Sequence, residues 1–438
     1  MEKKMFSCSF LCLALWGAQM ALASSGQGTD SAPPSGSTAS VNPVIEWNRS
    51  LLVILRTPGA QPATIHSTRS FAMLHAAMFD AVNAIDKTYQ PYAVHLRRVS
   101  KEASDAAAAD QAAHDVLTAL YPSFSSTLDA ELQADLDKIP DDKRRAQGIE
   151  VGGAVAAEIL ALRSEDGADV TFPPFVPNAL PGSYQLTPPN FAPADFIQWS
   201  HVTPFAIASA SDFLPAPPPE LTSDGYTASF EETKSLGLIT SAVRTADQTE
   251  IGKFWNGNIQ DFWNEIAQTA ALQQRLGLAP SAHLFALLNI SLADTVIAFY
   301  EAKYVYDVWR PVTAIQMAAS DNNPLTQPDP AWIPLSTKTA PDPSYPGAHS
   351  AISFSASQVL QAELGDHIAL DVTSESLSGV TRHFHSFSDA ALEAGLSRIY
   401  AGQHFRFDHV AGVLLGTQVA NTVVSSILET RSEHAKTH

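Results

Sequence analysis

The sequence predicts a mainly α-helical protein, a large helical bundle with its functional site in the C-terminal part. Apolar residues recur every three or four positions along most of the 438 residues, which is the period of an amphipathic helix. Runs that alternate apolar and polar residues are few, and no repeat of about 20–50 residues is visible. The length suits one large domain or two fused helical halves.

The N-terminus has the pattern of a cleaved secretory signal. Two lysines precede an apolar run at residues 5–16, and small residues then lead to a cleavage site near Ala23. The run is too short to span a bilayer as a stable helix, which disfavours the alternative of an uncleaved anchor. We therefore expect a secreted or periplasmic protein. Residues 1–23 are its predicted signal peptide, and residues 24–43, rich in Ser, Gly, Thr and Pro, its predicted disordered linker.

Composition excludes several classes of function. The 45 acidic and 26 basic residues give a net charge of −19, which disfavours nucleic acid or an anionic membrane as a partner. Both cysteines, Cys8 and Cys12, lie in the predicted signal peptide. The mature chain is therefore expected to contain no disulfide, cysteine nucleophile or thiolate metal site. No later run of about 18 apolar residues appears, so no transmembrane helix is expected.

The helical patterns fall into two regions that a Pro-rich segment connects. Residues 44–170 form a predicted N-terminal helical region, residues 171–222 an extended connection, and residues 223–438 a predicted C-terminal helical catalytic domain. Whether both regions share one core is left open. The predicted helices are Val44–Arg56, Ser67–Ile85, Glu102–Leu120, Ser125–Ile139, Lys143–Arg163, Ser223–Ser235, Asp247–Leu276, Ala282–Met317, Gly347–Leu364, Ser388–Ala401 and Phe405–Leu428.

Two cations lie seven residues apart in the predicted helix Ala282–Met317. At that spacing Lys303 and Arg310 face the same side, with their Cα atoms about 10 Å apart along the axis. Both side chains are long enough to converge on one small anion, and Pro311 is expected to kink the helix there. By themselves, the two residues fit a pair of solvated surface cations equally well.

A second segment supplies backbone donors at the start of a helix. Residues 343–349 read Pro-Ser-Tyr-Pro-Gly-Ala-His. The small Gly347 and Ala348 let a ligand approach the backbone closely, and the first N–H groups of the helix are unpaired and favour an anion. His349 lies in the first turn and can face that anion, although alone it fits a capping or surface histidine better.

In a third segment, Arg398 ends one predicted helix and His404 begins the next. Residues six apart do not share a face of one continuous helix, but Gly402 permits a break that brings both side chains together. Asp408 follows His404 by four residues, so its carboxylate is expected to orient the imidazole or to pair with Arg398. By itself, His404 fits a packed core histidine somewhat better.

Together, the three segments predict a site for a tetrahedral oxyanion such as phosphate or vanadate. Three cationic side chains offset the charge of such a ligand, and backbone donors fix its oxygens. One histidine can bond its central atom while the other transfers protons.

The order of these motifs resembles the signature of the vanadium haloperoxidase and type-2 phosphatidic acid phosphatase superfamily. Residues 73–83 and 304–315 also look like its bacterial haloperoxidase-related branch. That family's second motif usually reads Pro-Ser-Gly-His, so Gly347 and Ala348 replace its Ser and Gly, and the serine contact to the oxyanion is lost. The matching residues are Lys303-x6-Arg310-Pro311, Pro346-Gly347-Ala348-His349 and Ser397-Arg398-x5-His404-x3-Asp408.

For a haloperoxidase, the resemblance implies vanadate as cofactor, and hydrogen peroxide with halide or a small organic molecule as substrates. It implies that His404 is the axial ligand to vanadium, with Asp408 behind it. It also implies that His349 accepts a proton from hydrogen peroxide and that Lys303 polarises the bound peroxide. The residues expected to hold the vanadate oxygens are Lys303, Arg310, Gly347, Ala348 and Arg398.

Two other functions fit the same motifs. In a secreted acid phosphatase acting on phosphomonoesters, His404 would attack phosphorus to form a phosphohistidine, and His349 would protonate the leaving alcohol. A non-catalytic oxyanion-binding protein is the third hypothesis. The haloperoxidase is favoured because the chain has a long helical N-terminal region that small secreted acid phosphatases lack, and because it has no expected membrane span or mature cysteine.

Three further expectations concern specificity, metals and assembly. Asp342 and Tyr300 are candidates for setting the halide preference, by proximity to the motifs alone. His383 and His385 lack matched ligands nearby in the sequence, so a second metal site is not expected there. Family haloperoxidases are often dimeric or larger, which leaves a homo-oligomer open.

Overall fold

The described part of the chain is mainly helical, which confirms the predicted fold class. A computed structural model describes residues 42–431; the predicted signal peptide and nearly all of the predicted linker lie outside them. The linker prediction runs slightly too far, because Asn42 caps the first helix and Pro43 begins it. The elements are α1 (Pro43–Arg56), α2 (Ser67–Asp86), α3 (Asp105–Leu120), α4 (Ser125–Leu136), α5 (Asp142–Arg163), α6 (Asp224–Gly237), α7 (Ala246–Phe254), α8 (Ile259–Gln273), α9 (Leu278–Tyr306), α10 (Pro311–Gln316), α11 (Ala348–Leu364), β1 (His367–Thr373), β2 (Thr381–Ser386), α12 (Phe387–Tyr400) and α13 (Arg406–Ser426).

Two long predicted helices are wrong, because each is two helices. The helix predicted at Asp247–Leu276 stops after α7 and restarts as α8, and the break contains Asn256-Gly257-Asn258, a turn-forming sequence. The helix predicted at Ala282–Met317 ends at Tyr306, because Asp307 takes the left-handed conformation (φ 51°). Pro311 then begins α10, where its missing N–H costs no hydrogen bond, instead of kinking a continuous helix.

The structure contains a β-hairpin that the sequence pattern does not predict. Strands β1 and β2 pair antiparallel, with Leu370 opposite Phe384. Side chains of β1 alternate between exposed and buried, which is the pattern of a strand with one face on a core. The alternating run is only seven residues long, and a run of that length is easily lost among helical patterns.

The long helix α9 lies at the centre of the fold. It packs against α2 from the N-terminal region and against α11 and α13 from the C-terminal region. Residues of both regions belong to one continuous hydrophobic cluster, so the two share a core. Among residues 42–431, α9 alone is long and apolar enough to cross a membrane, and its most apolar window is wholly buried inside the protein.

Close helix packing brings α13 against α11. Gly412 and Gly416 lie one turn apart on α13, facing the backbone of α11 at Gly347 and Ala351. A Cβ at Gly412 would lie 2.4 Å from the Gly347 carbonyl oxygen, and one at Gly416 would lie 2.0 Å from that of Ala351. Only glycine permits this approach, which sets the position of the first turn of α11.

The Pro-rich connection is anchored to the core by a buried carboxylate. Asp294 of α9 accepts hydrogen bonds from three successive backbone N–H groups, at Phe205 (2.6 Å), Ala206 (2.8 Å) and Ile207 (2.8 Å). Asp80 of α2 holds residues 92–94 in the same manner. These loops thereby satisfy their backbone donors although they run through buried surroundings.

Asp294→Ala is expected to lower the free energy of unfolding by about 3 kcal/mol, because three buried N–H donors lose their acceptor. Asp294→Asn keeps one acceptor oxygen and is expected to lose about half as much. Urea unfolding followed by circular dichroism measures both. An unchanged midpoint for Asp294→Ala would show that the connection is held by other contacts.

Candidate oxyanion site

Lys303 lies in the last turn of α9 with a fully buried side chain. Its ammonium group donates hydrogen bonds to the backbone carbonyls of Pro343 and Ser344 (3.4 Å to the latter) and contacts the Asp342 carboxylate at 3.3 Å. Burial lowers the pKa of Lys303 to about 8, although the neighbouring carboxylate acts in the opposite direction.

Arg310 reaches the same place from a different element. It is the N-cap residue of α10, so the prediction that it shares a helical face with Lys303 is wrong. The turn at 307–309 redirects the chain, and the buried guanidinium donates to the backbone carbonyls of Asp342 (2.8 Å) and Gln403 (3.1 Å). The two cations nevertheless converge, because both contact the Asp342 carboxylate.

His404 is held by hydrogen bonds on both ring nitrogens. Its Nδ1 lies 3.1 Å from Oδ2 of Asp408, and its Nε2 lies 3.2 Å from Nη1 of Arg310. Because the carboxylate and the guanidinium fix the donors, Nδ1 carries the proton and Nε2 carries a lone pair. Burial lowers the pKa of His404 well below its usual value, and Arg310, Lys303 and Arg398 lower it further, so the ring is neutral.

Asp408 is the residue that orients this ring. Besides His404, its Oδ2 accepts hydrogen bonds from the Ser344 hydroxyl (2.6 Å) and the Phe405 backbone N–H (2.8 Å). Burial raises its pKa to about 6. Of the two partners that the sequence left open for Asp408, the structure selects His404 and not Arg398.

Arg398 is the cation without a carboxylate. It lies near the end of α12, and among the described residues its hydrogen-bond partner is the Asn256 side chain (Nη1 to Oδ1, 3.1 Å). Its Nε is buried and has no partner within residues 42–431. Burial, and then Arg310, lower its pKa to about 9. Such a guanidinium needs an anionic ligand to complete its bonding.

His349 and the helix start form the remaining wall. His349 donates from Nε2 to the Trp255 carbonyl (3.0 Å), and burial followed by the charge of Arg398 lowers its pKa well below its usual value. The Gly347 N–H donates to the Asp408 carbonyl (2.9 Å), so this predicted oxyanion donor is engaged within the protein. Ala348 begins α11, where its N–H has no helical acceptor.

The site opens to the surface through a cleft of about 430 Å³. Arg398 and Gln403 line this cleft together with five residues of the Pro-rich connection between Thr187 and Ala192. Lys338 also lines the cleft. A small anion or peroxide can therefore enter from the side of Arg398.

Several residues of the site were not identified as such from the sequence. Asn256 and Trp255 lie in the break between α7 and α8, and Ser344 and Asp342 lie in the loop before α11. The Asn-Gly-Asn triplet could have revealed the break, but no local pattern indicates that it faces Arg398. From the sequence, Asp342 is a candidate only for setting the halide preference.

The sequence and the fold both match known vanadium enzymes. A family model described as the VCPO second helical-bundle domain matches residues 283–433. The vanadium chloroperoxidase of Curvularia inaequalis is 24% identical over an alignment of 274 positions, which covers 47% of this chain and 44% of that protein. This chain thus spans less than half the length of that curated relative. A crystal structure described as the first bacterial vanadium-dependent iodoperoxidase superposes with a TM-score of 0.75 at 26% identity, over 89% of this chain and 96% of the other.

Over residues 283–433 in sequence, and over most of its length in fold, the chain resembles the vanadium haloperoxidase family. The family resemblance that the motifs indicated is therefore confirmed. A bacterial vanadium-dependent chloroperoxidase in its holo form has the same fold, with a TM-score of 0.68 over 88% of this chain and 97% of the other, at 16% identity. Both structural matches include the N-terminal helical region, which the family model does not cover.

Vanadate, the cofactor that the family implies, fits the side chains of the site. The buried Arg398 Nε lacks a partner among residues 42–431, and the neutral His404 presents a lone pair at Nε2 beside Arg310. Within the same residues, no group of three or more His, Cys, Asp or Glu side chains is placed to hold a metal ion. His383 instead pairs with Asp371 on the exposed hairpin (2.7 Å). The donor set thus suits an oxyanion rather than a bare metal cation.

Proposed function

We propose that the protein is a vanadate-dependent haloperoxidase that oxidises halide with hydrogen peroxide. The observation that carries this proposal is the buried Arg398 without a carboxylate partner among the described residues, in the same site as a neutral His404. The likeness to a bacterial vanadium-dependent iodoperoxidase over 89% of the chain supports it, because that likeness includes the N-terminal region.

Each residue of the site has a role in holding the oxyanion. His404 Nε2 would bond the central atom, since Asp408 fixes the proton on Nδ1 and turns the lone pair toward Arg310. Lys303, Arg310 and Arg398 would offset the charge on the oxygens, and the Ala348 N–H would add a donor. When bound, vanadate supplies a fully oxidised Lewis-acid centre that activates hydrogen peroxide toward halide.

Proton transfer falls to the residues beside the oxyanion. His349 is neutral, so it can accept a proton from hydrogen peroxide as the peroxide enters. Lys303 is a buried donor and would polarise the substrate oxygen. Lys303 and Arg310 are buried, so bulk water is kept away from their charges. The interactions of both cations with the bound oxyanion and its substrate are therefore stronger than they would be in water.

The activity test compares two reactions on the same full-length protein. Vanadate is added to the purified apoprotein, and peroxide-dependent oxidation of iodide and bromide is measured beside hydrolysis of p-nitrophenyl phosphate. We expect halide oxidation that requires vanadate and that inorganic phosphate inhibits by competition. Hydrolysis without vanadate, together with no halide oxidation, would assign the phosphatase instead.

A phosphatase remains the second candidate because the oriented, neutral His404 also suits a nucleophile that attacks phosphorus. In that case phosphate ester hydrolysis proceeds without vanadate, and vanadate inhibits it. Oxyanion binding with neither activity would assign the third candidate, a non-catalytic binding protein.

Oxyanion affinity is expected to fall as the pH rises through about 8. In the free protein burial lowers the pKa of Lys303 to about 8, and a bound dianion raises it. Affinity is therefore fully present below pH 8 and is lost above it, by about tenfold between pH 7 and 9. Calorimetry with sulfate, whose charge is constant over this range, measures the effect. Lys303→Arg should flatten the profile; an unchanged slope would exclude Lys303 as its origin.

We also propose that the chain is exported and cleaved after Ala23. The support is the sequence of residues 1–23, which lie outside the described structure. Expression with its own N-terminus in a bacterial host should yield a periplasmic or secreted protein that begins at Ser24 on N-terminal sequencing. An intact N-terminus in the membrane fraction would indicate an anchor.

A further inference from the structure

The Asp342 carboxylate lies where two cations of the site meet. It contacts Arg310 through the guanidinium and Lys303 at 3.3 Å, and its second oxygen accepts a hydrogen bond from Tyr300 (3.3 Å). Asp342 is only 6% exposed. Burial alone raises the pKa of Asp342, but Lys303 and Arg310 outweigh it and hold the pKa below its usual value, so the group is an anion.

The backbone holds this carboxylate in place. Arg310 also donates from Nε to the Asp342 carbonyl (2.8 Å), and the Pro341 carbonyl accepts a hydrogen bond from the Asp195 N–H (2.8 Å). The contact between Asp342 and the two cations is therefore supported from both sides of the residue, not made by a free side chain.

Charge balance explains why the fold keeps an anion here. Lys303, Arg310 and Arg398 are three buried cations that repel one another, and each lowers the pKa of His404. Asp408 is committed to His404 and to two other donors. Asp342 is thus the carboxylate that compensates Lys303 and Arg310 directly.

We propose that Asp342 sets the affinity of the site by occupying Lys303 and Arg310 until an oxyanion replaces its carboxylate. This inference rests on the proposed oxyanion site. The incoming anion meets Arg398 first, because Arg398 lines the cleft and has no carboxylate partner among residues 42–431. It then competes with Asp342 for the two remaining cations, so binding requires a ligand that offers more negative charge than one carboxylate. Multiply charged tetrahedral oxyanions meet this requirement, whereas monovalent anions do not.

Asp342→Asn tests the inference, because it removes the charge and keeps the shape. Orthovanadate and orthophosphate are titrated into the full-length apoprotein by calorimetry. We expect at least about tenfold tighter binding than in the wild type, since a repelling charge and a competitor are both removed. The ligand-free variant should melt at a lower temperature than the ligand-free wild type. Phosphate should raise the melting temperature of the variant by more than it raises that of the wild type.

Two further variants separate this role from a purely structural one. Asp195→Asn is the matched control, because Asp195 is an exposed carboxylate near Asp342 that makes no ion pair with the cations in the described structure. It should leave affinity unchanged. Tyr300→Phe removes one donor to Asp342 without altering charge, and about twofold to threefold tighter binding is expected. It also provides a test if Asp342→Asn does not fold.

The outcomes distinguish this inference from the proposed function. Tighter binding in Asp342→Asn supports the inference, even if no halide oxidation is found and the proposed activity fails. Equal or weaker binding in Asp342→Asn, with normal binding by the wild type, overturns the inference and leaves the site intact. Absence of binding by every variant overturns both. A phosphate-bound crystal structure should show the Asp342 carboxylate displaced from Arg310; an unchanged contact contradicts the proposal.

Discussion

His404→Ala is expected to abolish vanadate-dependent halide oxidation, with a loss of at least about a thousandfold in kcat. The imidazole supplies the lone pair that faces Arg310, and no other described side chain stands in that position. Vanadate affinity should fall with the activity, and equilibrium dialysis measures it independently of turnover. Imidazole added to the variant is expected to restore part of the binding.

The fold should survive this substitution. Asp408 retains its hydrogen bonds from Ser344 and Phe405, so the loss in unfolding free energy is expected to be about 1–2 kcal/mol. His75→Ala is the matched control, because His75 is a buried histidine of α2 that hydrogen-bonds to Asn48 (2.8 Å). His75→Ala should lower the free energy of unfolding by a similar amount and leave halide oxidation intact. Activity retained by His404→Ala would refute the site.

Gly416→Ala is expected to lower the free energy of unfolding by about 3 kcal/mol. The new Cβ would lie 2.0 Å from the Ala351 carbonyl oxygen, a backbone atom that cannot rotate away, so α13 and α11 must separate. The gain of about 1 kcal/mol in helix propensity does not offset this strain. Because α11 carries His349 and Ala348 in its first turn, oxyanion affinity should also fall.

Gly153→Ala is the control for helix propensity. Gly153 lies within α5, and the nearest atom to its new Cβ would be Oδ2 of Asp115 at 3.5 Å, an ordinary contact. This variant should be as stable as the wild type or slightly more so. Thermal unfolding of the wild type, Gly416→Ala and Gly153→Ala measures these differences in stability. Equal stability of Gly416→Ala and the wild type would mean that the helices pack less closely than described.

Local sequence patterns predicted most of the helices well. Nine of the predicted helices match single observed helices within three residues at either end, because amphipathic periodicity and capping residues act over a few neighbouring positions. The failures lie where a turn interrupts an apolar run, at residues 255–258 and 307–310. There the apolar spacing continues across the break, so periodicity alone does not detect it.

The candidate oxyanion-binding residues followed from the ordered motifs, but their convergence did not follow from helical spacing. Lys303 and Arg310 meet because a left-handed residue at Asp307 ends α9 and the chain then turns back toward the site. The predicted shared helical face was wrong, although the two side chains do converge, on the Asp342 carboxylate. A motif records which side chains a site needs, and not the path that brings them together.

The sequence by itself determined the helical class, the family resemblance and the candidate side chains of the site. Tertiary structure alone decided which groups those side chains bond. Asn256 holds Arg398, and Asp342 occupies Lys303 and Arg310. The physical reason is distance along the chain, since Asn256 and Arg398 are 142 residues apart. Burial and charge pairing depend on what folding brings within a few ångströms, and no pattern of neighbouring residues encodes them.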